Sequence, residues 1–174
     1  GLAVSLDHVG KCARALGDLP AAWEAHAESL TYRREVGDPR GFLVWLEAMA
    51  LWLVEAGCAE TAARALGAIE VTRTASNIPI QHHEAGDHEM TGRLAREALG
   101  EERYDTVLAK GRWLTLPEII DEVRVAAESR ARDLAQGHPV DVASVADRFG
   151  LTAREHEVLL LLARRYADKE IADA

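Results

Sequence analysis

The stretch ALGDLPAAWEAHAESL (residues 15–30) aligns with EAGCAETAARALGAIE (55–70) at an offset of 40 residues. Gly17 matches Gly57, Ala22 matches Ala62, and Ala25 matches Ala65. This repeat restricts the fold more than any single residue does. A unit of this length has room for two helices and their turns, and one helix pair cannot bury both of its faces alone. In each copy the glycine follows a helical stretch and opens the next turn, because a residue without a Cβ reaches φ > 0 at no steric cost. The alanine five residues later keeps the two helices of a pair close.

Helices are therefore expected over Ser5–Leu16, Pro20–Val36, Gly41–Ala56 and Ala59–Ala68, with Asp38-Pro39 closing one and opening another. The third is the most apolar. Phe42, Leu43, Trp45, Leu46, Met49, Leu51, Trp52 and Leu53 leave it almost no polar face, as befits a helix between neighbours. Its two tryptophans are read as packing residues rather than as the walls of a ligand pocket. Abundant Ala, Leu, Glu and Arg with only five prolines favour helix over sheet, and the fold class is all-α.

Residues 72–89, TRTASNIPIQHHEAGDHE, break the periodicity at Asn77, Pro79 and Gly86 and read as a loop. Helices resume over Met90–Leu99, with Met90, Leu94 and Ala98 on one stripe, and over Glu101–Lys110. TLPE (115–118) has the form of a capping box: the Thr115 hydroxyl can accept the N–H three residues on, and Glu118 can reach back. Pro117 tolerates the first turn. The helix that follows runs to about Ala135 and buries Ile119, Ile120, Val123, Ala127 and Leu134.

The repeat region resembles tetratricopeptide-like helical repeats, with a period of 40 where 34 is usual. His26 and Ser29 stand where that family favours an aromatic residue and an alanine. The stack is expected to continue upstream, and Gly1 is read as a cut inside a longer polypeptide.

The chain closes on FGLTAREHEVLLLLARRYADKEIADA (149–174). Thr152 and Glu155 form a second capping box, and Val158, Leu159, Leu162 and Ala163 make an apolar stripe at helical spacing. The tight turn RRYAD and a short helix from Lys169 complete the first half of a helix-turn-helix. This stretch resembles the LuxR-type DNA-binding domain. Leu151, Thr152, Arg154, Glu155, Glu157, Val158, Leu159, Leu161, Leu162 and Ala163, then Lys169, Glu170, Ile171 and Ala172, match its opening in fixed register. Ala153 replaces a usual proline, and Arg165 a usual turn glycine. The order of the upstream helices, with LGEERYDTVLAKGRWLTLPE as its most specific piece, looks like the C-terminal region of large bacterial regulators of the LuxR class.

The resemblance implies tetratricopeptide-like repeats over 1–136, a linker over 137–150 and a truncated helix-turn-helix over 151–174. It also implies an upstream nucleotide-binding module, DNA as a partner of the full-length protein, and an effector or partner protein on the repeats. A homodimer is a further possibility within the class. Lys169 is the candidate phosphate contact, at a helix N-terminus that favours an anion. The resemblance leaves the helix that would read base edges outside this sequence, so the chain is expected to lack sequence-specific DNA affinity. The rival expectation is a helical interaction scaffold that binds no DNA.

Charge agrees with that limit. The net charge is −9, with 22 acids against 15 bases over 1–137 and 7 against 5 over 138–174, so neither part is the basic footprint of a nucleic-acid surface. No apolar run approaches the length of a membrane span. Cys12 and Cys58 are expected as free, buried thiols of a cytoplasmic protein.

Other chemistry is not supported. SLDHVGKC (5–12) has Ser5 where a phosphate-binding loop needs glycine and Cys12 where it needs Ser or Thr. In HHEAGDHE (82–89), His83-Glu84 and His88 are one residue too far apart for the zinc-protease pattern, and Asp87 takes the second histidine's place. Residues His82, His83, Glu84, Asp87, His88 and Glu89 could trap an adventitious ion, but solvated loop polarity is the default. No cofactor, metal site or catalytic group is expected.

Overall fold

The computed structural model describes residues 1–37 and 39–137, and in them every element is helical. The helices are α1 (Leu2–Ala15), α2 (Leu19–Val36), α3 (Pro39–Glu55), α4 (Ala59–Ser76), α5 (His82–Leu99), α6 (Glu101–Gly111) and α7 (Leu116–Gly137). The all-α reading stands. The residues expected to form the helix-turn-helix, Lys169 among them, lie outside the described part, as does the expected linker apart from Gly137. That residue ends α7 instead.

The 40-residue repeat is visible atom by atom at its turns. Gly17 and Gly57 take φ of +83° and +86°. In both copies the glycine N–H donates three residues back, to Arg14 and to Val54. The next N–H reaches five back, to Ala13 and to Leu53. These bonds satisfy carbonyls that the helix end would leave bare. The Asp18 side chain then caps α2 by accepting from the Ala21 N–H at 3.0 Å. Ala22, Ala25, Ala62 and Ala65 are all buried, so α1 closes on α2 and α3 on α4 as two helical hairpins.

Helix α3 is the centre of the core. Leu43, Trp45, Leu46, Met49, Leu51, Trp52 and Leu53 are almost fully buried, because α2, α4, α5 and α7 all lie against it. Both indoles act as packing groups with a polar anchor. Trp45 Nε1 donates to the His26 carbonyl and Trp52 Nε1 to the Leu19 carbonyl, each at 2.8 Å, tying α3 to the backbone of α2.

Helix α6 crosses α4 at two glycines. A Cβ added to Gly67 would overlap the Leu108 carbonyl, and one added to Gly111 would overlap the Arg64 carbonyl. Helix α7 braces the array from the other side, with Ile119, Ile120, Val123 and Ala127 buried as expected and Leu134 only half-buried. Its polar edge pairs Asp121 with Arg34 and Glu122 with Arg64, and Arg130 donates to the Ala56 carbonyl. At its start the Thr115 N–H and hydroxyl both donate to the Glu118 carboxylate, at 2.8 and 2.6 Å. Glu118 reaches back as expected, but the hydroxyl donates to it instead of accepting a backbone N–H. These hydrogen bonds hold the Glu118 carboxyl below its ordinary range.

Several boundaries differ from the sequence expectation. The expected loop over 72–89 shrinks to residues 77–81. Helix α4 runs eight residues past Ala68, to an Asn77 cap with φ +51°, because Arg73 on that extension bonds to α3 and to the next loop. Helix α5 starts at His82 and tolerates Gly86 inside it, where the glycine is exposed and an added Cβ would meet no neighbouring group within 4 Å. Its buried seam is Thr91, Gly92 and Ala95; Met90 and Ala98 are exposed and Leu94 only half-buried. Small residues let α5 approach its neighbours, and that contact overrides the stripe of larger ones. The SLDHVGKC stretch lies within α1. Cys12 and Cys58 are both free, but neither is fully buried: Cys12 is exposed and Cys58 half-buried.

Candidate ligand groove

The C-terminal half of α4, residues 77–81 and the first turns of α5 enclose an open groove of about 570 Å³. Its apolar ribs are Ile69, Ile78, Pro79, Ile80 and Ala85. Glu70, Arg73, Thr74, Asn77, His88 and Glu89 supply polar edges. A concave site with apolar walls and a few polar tips is the usual form of a small-molecule pocket, and this volume lies within the usual range of roughly 300–1,000 Å³.

Beside the groove lies a buried charged cluster. Glu47, 4% exposed, is the lone acid in the otherwise apolar stretch of α3. Arg73 Nη2 donates to its Oε1 at 3.2 Å, and His88 Nδ1 lies 3.2 and 3.0 Å from its two oxygens. Arg73 Nη1 donates to the Pro79 carbonyl at 3.2 Å, so one guanidinium joins α3, α4 and the loop. The hydrogen bond to Glu47 raises the His88 pKa above its ordinary value, and its charge and that of Glu70 add to this; burial and Arg73 oppose. At the outer edge Arg112 donates twice to Glu70, at 3.1 and 2.9 Å.

A second buried polar cluster lies between α1 and α2. Arg33 pairs with Asp7, and its Nε donates to the Ser29 hydroxyl at 3.3 Å. Ser29 in turn donates to the Ala3 carbonyl at 3.0 Å, and His26 Nδ1 lies 3.3 Å from Asp7. Burial pushes the Asp7 carboxyl up, yet the bonds to His26, Ser29 and Arg33 outweigh it and leave the pKa below its usual value. The His26 ring packs against Gly10, where an added Cβ would meet its Cδ2 at 2.7 Å. This cluster reads as a hairpin lock, and its Ala3 and Arg33 also line a cavity of about 270 Å³ between the start of α1 and the end of α2.

Of the residues singled out from sequence, Trp45 and Trp52 are in the core and do not line the groove. The HHEAGDHE segment is helical, and its members part company: Asp87 pairs with Lys11 of α1 at 3.4 Å while His88 binds Glu47. No three metal-ligating side chains converge among the described residues. Glu47 and Arg73 were missed by the sequence reading. A lone carboxylate inside an apolar helix was their available signal, since a buried charge demands a partner.

No protein-family model, curated protein or solved structure matches this chain.

Proposed function

We propose that the chain is part of a bacterial LuxR-class transcriptional regulator, whose tetratricopeptide-like helices receive an effector or a partner protein and control a C-terminal helix-turn-helix. The observation that carries this reading is the fixed-register motif from Leu151 to Ala172, fourteen residues with only small departures. The groove beside α4 and α5 supports the sensing half: it is open, of ligand size, and coupled through Glu47, Arg73 and His88 to three helices at once. A ligand that engages Arg73 or His88 acts on contacts that hold α4 and α5 to α3, which is how a local event biases a larger element.

A second reading, a helical protein-interaction scaffold without DNA binding, draws on the net charge of −9 and the exposed groove. Selection from randomised duplex DNA separates the two. The 174-residue chain is expected to enrich no sequence, and the longer polypeptide encoded with the residues after Ala174 is expected to enrich a defined site. A reading frame that stops at Ala174, or a longer polypeptide that enriches nothing, overturns the regulator reading and leaves the scaffold.

A further inference from the structure

Helix α5 is held in two different ways along its length. From Thr91 onward its seam is buried, with Thr91, Gly92 and Ala95 packed against the body of the protein. In the half before that, Ala85, Asp87 and His88 are half-buried, and Gly86, Glu89 and Met90 are exposed. Among the side chains described there, two tie this half to other helices. Asp87 pairs with Lys11 of α1 at 3.4 Å, and His88 Nδ1 lies 3.0 Å from Glu47 Oε2 of α3. The first pair is about one-third exposed on both sides and contributes little, because water screens it. The second ends on a carboxylate that is 4% exposed, where a charge-assisted bond is strongest.

His88 is the member of this tie whose charge changes near neutral pH. From α3 it faces Glu47. From α4 it faces Arg73, which shares the same carboxylate at 3.2 Å, and Glu70, which Arg112 of α6 pairs at 2.9 Å. Asp87 and Glu89 flank it on α5 itself, and residues 77–81 bring no titratable side chain. With its proton, His88 gives Glu47 a second cationic partner. Without it, Nδ1 can still donate, but as a neutral imidazole and roughly half as strongly. Arg73 then remains as the cation on Glu47, so the carboxylate stays satisfied between α3 and α4. The loss falls on α5.

We infer that the half of α5 before Thr91 is a proton-controlled arm, docked on α3 while His88 is charged and released when His88 is neutral. Two or three undocked turns are too short to persist as a helix in water, so release unravels them. Glu47 raises the His88 pKa in the docked state. The arm is therefore fully held below the undocked value near 6.5 and is freed as pH rises through the docked one. Ala85, His88 and Glu89 form one wall of the groove beside α4, so release opens that wall and withdraws its imidazole. The consequence for a ligand rests on the proposed sensing role of the groove; the arm itself does not.

Hydrogen exchange of the 174-residue chain, followed by mass spectrometry from about pH 5.5 to about pH 8.5, tests it. Protection factors divide out the pH dependence of the chemical exchange itself. Those of amides 85–90 are expected to fall as pH rises between the undocked and docked values, by at most about tenfold per pH unit because one proton leaves. At every pH they are expected to lie below those of amides 92–98, because the arm opens while the buried seam holds. His88→Gln keeps a donor for Glu47 but no titration. Folded by circular dichroism, it is expected to show low protection of the arm that no longer varies with pH. Asp87→Asn removes the Lys11 pair and is expected to keep the pH dependence. Three results overturn the inference: arm protection that is constant with pH in the wild type, a pH dependence that survives His88→Gln or disappears in Asp87→Asn, and arm amides protected equally with 92–98, which would mean one concerted opening. The assay contains no DNA and no ligand, so failure of the arm leaves the regulator reading standing, and failure of that reading leaves the arm.

Discussion

Gly67 and Gly111 set the distance between α4 and α6, and replacing either by alanine tests whether that distance is a requirement. A Cβ on Gly67 would overlap the Leu108 carbonyl oxygen and lie 3.1 Å from Leu108 C and Arg112 N. One on Gly111 would overlap the Arg64 carbonyl oxygen and lie 2.7 Å from Arg64 C and Cα. All these neighbours are backbone, so no side-chain rotation relieves the overlap, and the helices must separate by about 1 Å to restore ordinary contact. That movement draws Tyr104, Val107 and Leu108, all buried, away from α4. Overpacking costs about 1–3 kcal/mol, and the rigid neighbours put this case near the top of the range. Alanine recovers about 1 kcal/mol of helix propensity. Each substitution is therefore expected to destabilise by about 2 kcal/mol net, a fall of roughly 4–8 °C in Tm for a chain of this size. Urea unfolding followed by far-UV circular dichroism measures it. One displacement relieves both clashes, so the double variant loses less than the two single losses added together. Gly86→Ala is the control: it lies inside α5 with open space around it and is expected to gain up to about 1 kcal/mol. If Gly67→Ala also stabilises, the close crossing is not what the glycines are for.

Three further outcomes follow from the buried polar groups and the tryptophans. The folded-state pKa of His88 is raised, so its pair with Glu47 contributes stability that is fully present below the unfolded value near 6.5 and is lost as pH rises through the folded one. Unfolding free energy compared at mildly acidic and mildly alkaline pH is expected to show a fall that His88→Gln reduces; an unchanged pH dependence in that variant removes the pair from the account. The Asp7 pKa is lowered, so its contribution is present above the unfolded value near 3.8 and is lost as pH falls through the folded one. At neutral pH Asp7→Asn leaves Arg33 buried without its carboxylate and is expected to cost about 3 kcal/mol in urea unfolding, whereas a loss below about 1 kcal/mol would show that the α1–α2 lock is cosmetic. Trp113 is 88% exposed while Trp45 and Trp52 are fully buried. Trp113→Phe is expected to remove most of the iodide-quenchable, red-shifted fluorescence, leaving what the half-buried Trp23 contributes, and to change stability by under about 0.5 kcal/mol; quenching unchanged by the substitution would contradict that placement.

How much of this was readable in the residues depends on the range of the interaction. The Gly17 and Gly57 turns, the buried alanines after them and the stripe of α7 were all readable, because a helix end or an amphipathic face is written within a few neighbouring positions. The stretch from Thr72 to Glu89 misled for the same reason. Asn77, Pro79 and Gly86 are local breakers, yet Arg73 and His88 hold helix on both sides of a short loop by bonding to Glu47, more than 25 residues away. Met90, Leu94 and Ala98 looked like the inner face of α5 until the closer approach permitted by Thr91, Gly92 and Ala95 turned the helix.

The groove was not legible at all. Its walls come from α4, the loop and α5, and its charged cluster depends on one carboxylate of α3, so no window of sequence contains it. Nor do the residues of α1 announce by their spacing that charged groups turn inward; Asp7, Lys11 and Arg14 do so only because Arg33, Asp87 and Glu55 wait on three different helices.

Sequence alone determined that this protein is helical, where its paired turns fall, and that α3 has no face for water, because backbone sterics and the apolar pattern act over a turn or two of chain. Tertiary structure decided which helices touch, which charges are buried, and which half of α5 they hold. Those outcomes depend on partners 20 to 90 residues away, whose meeting is fixed by packing and not by spacing.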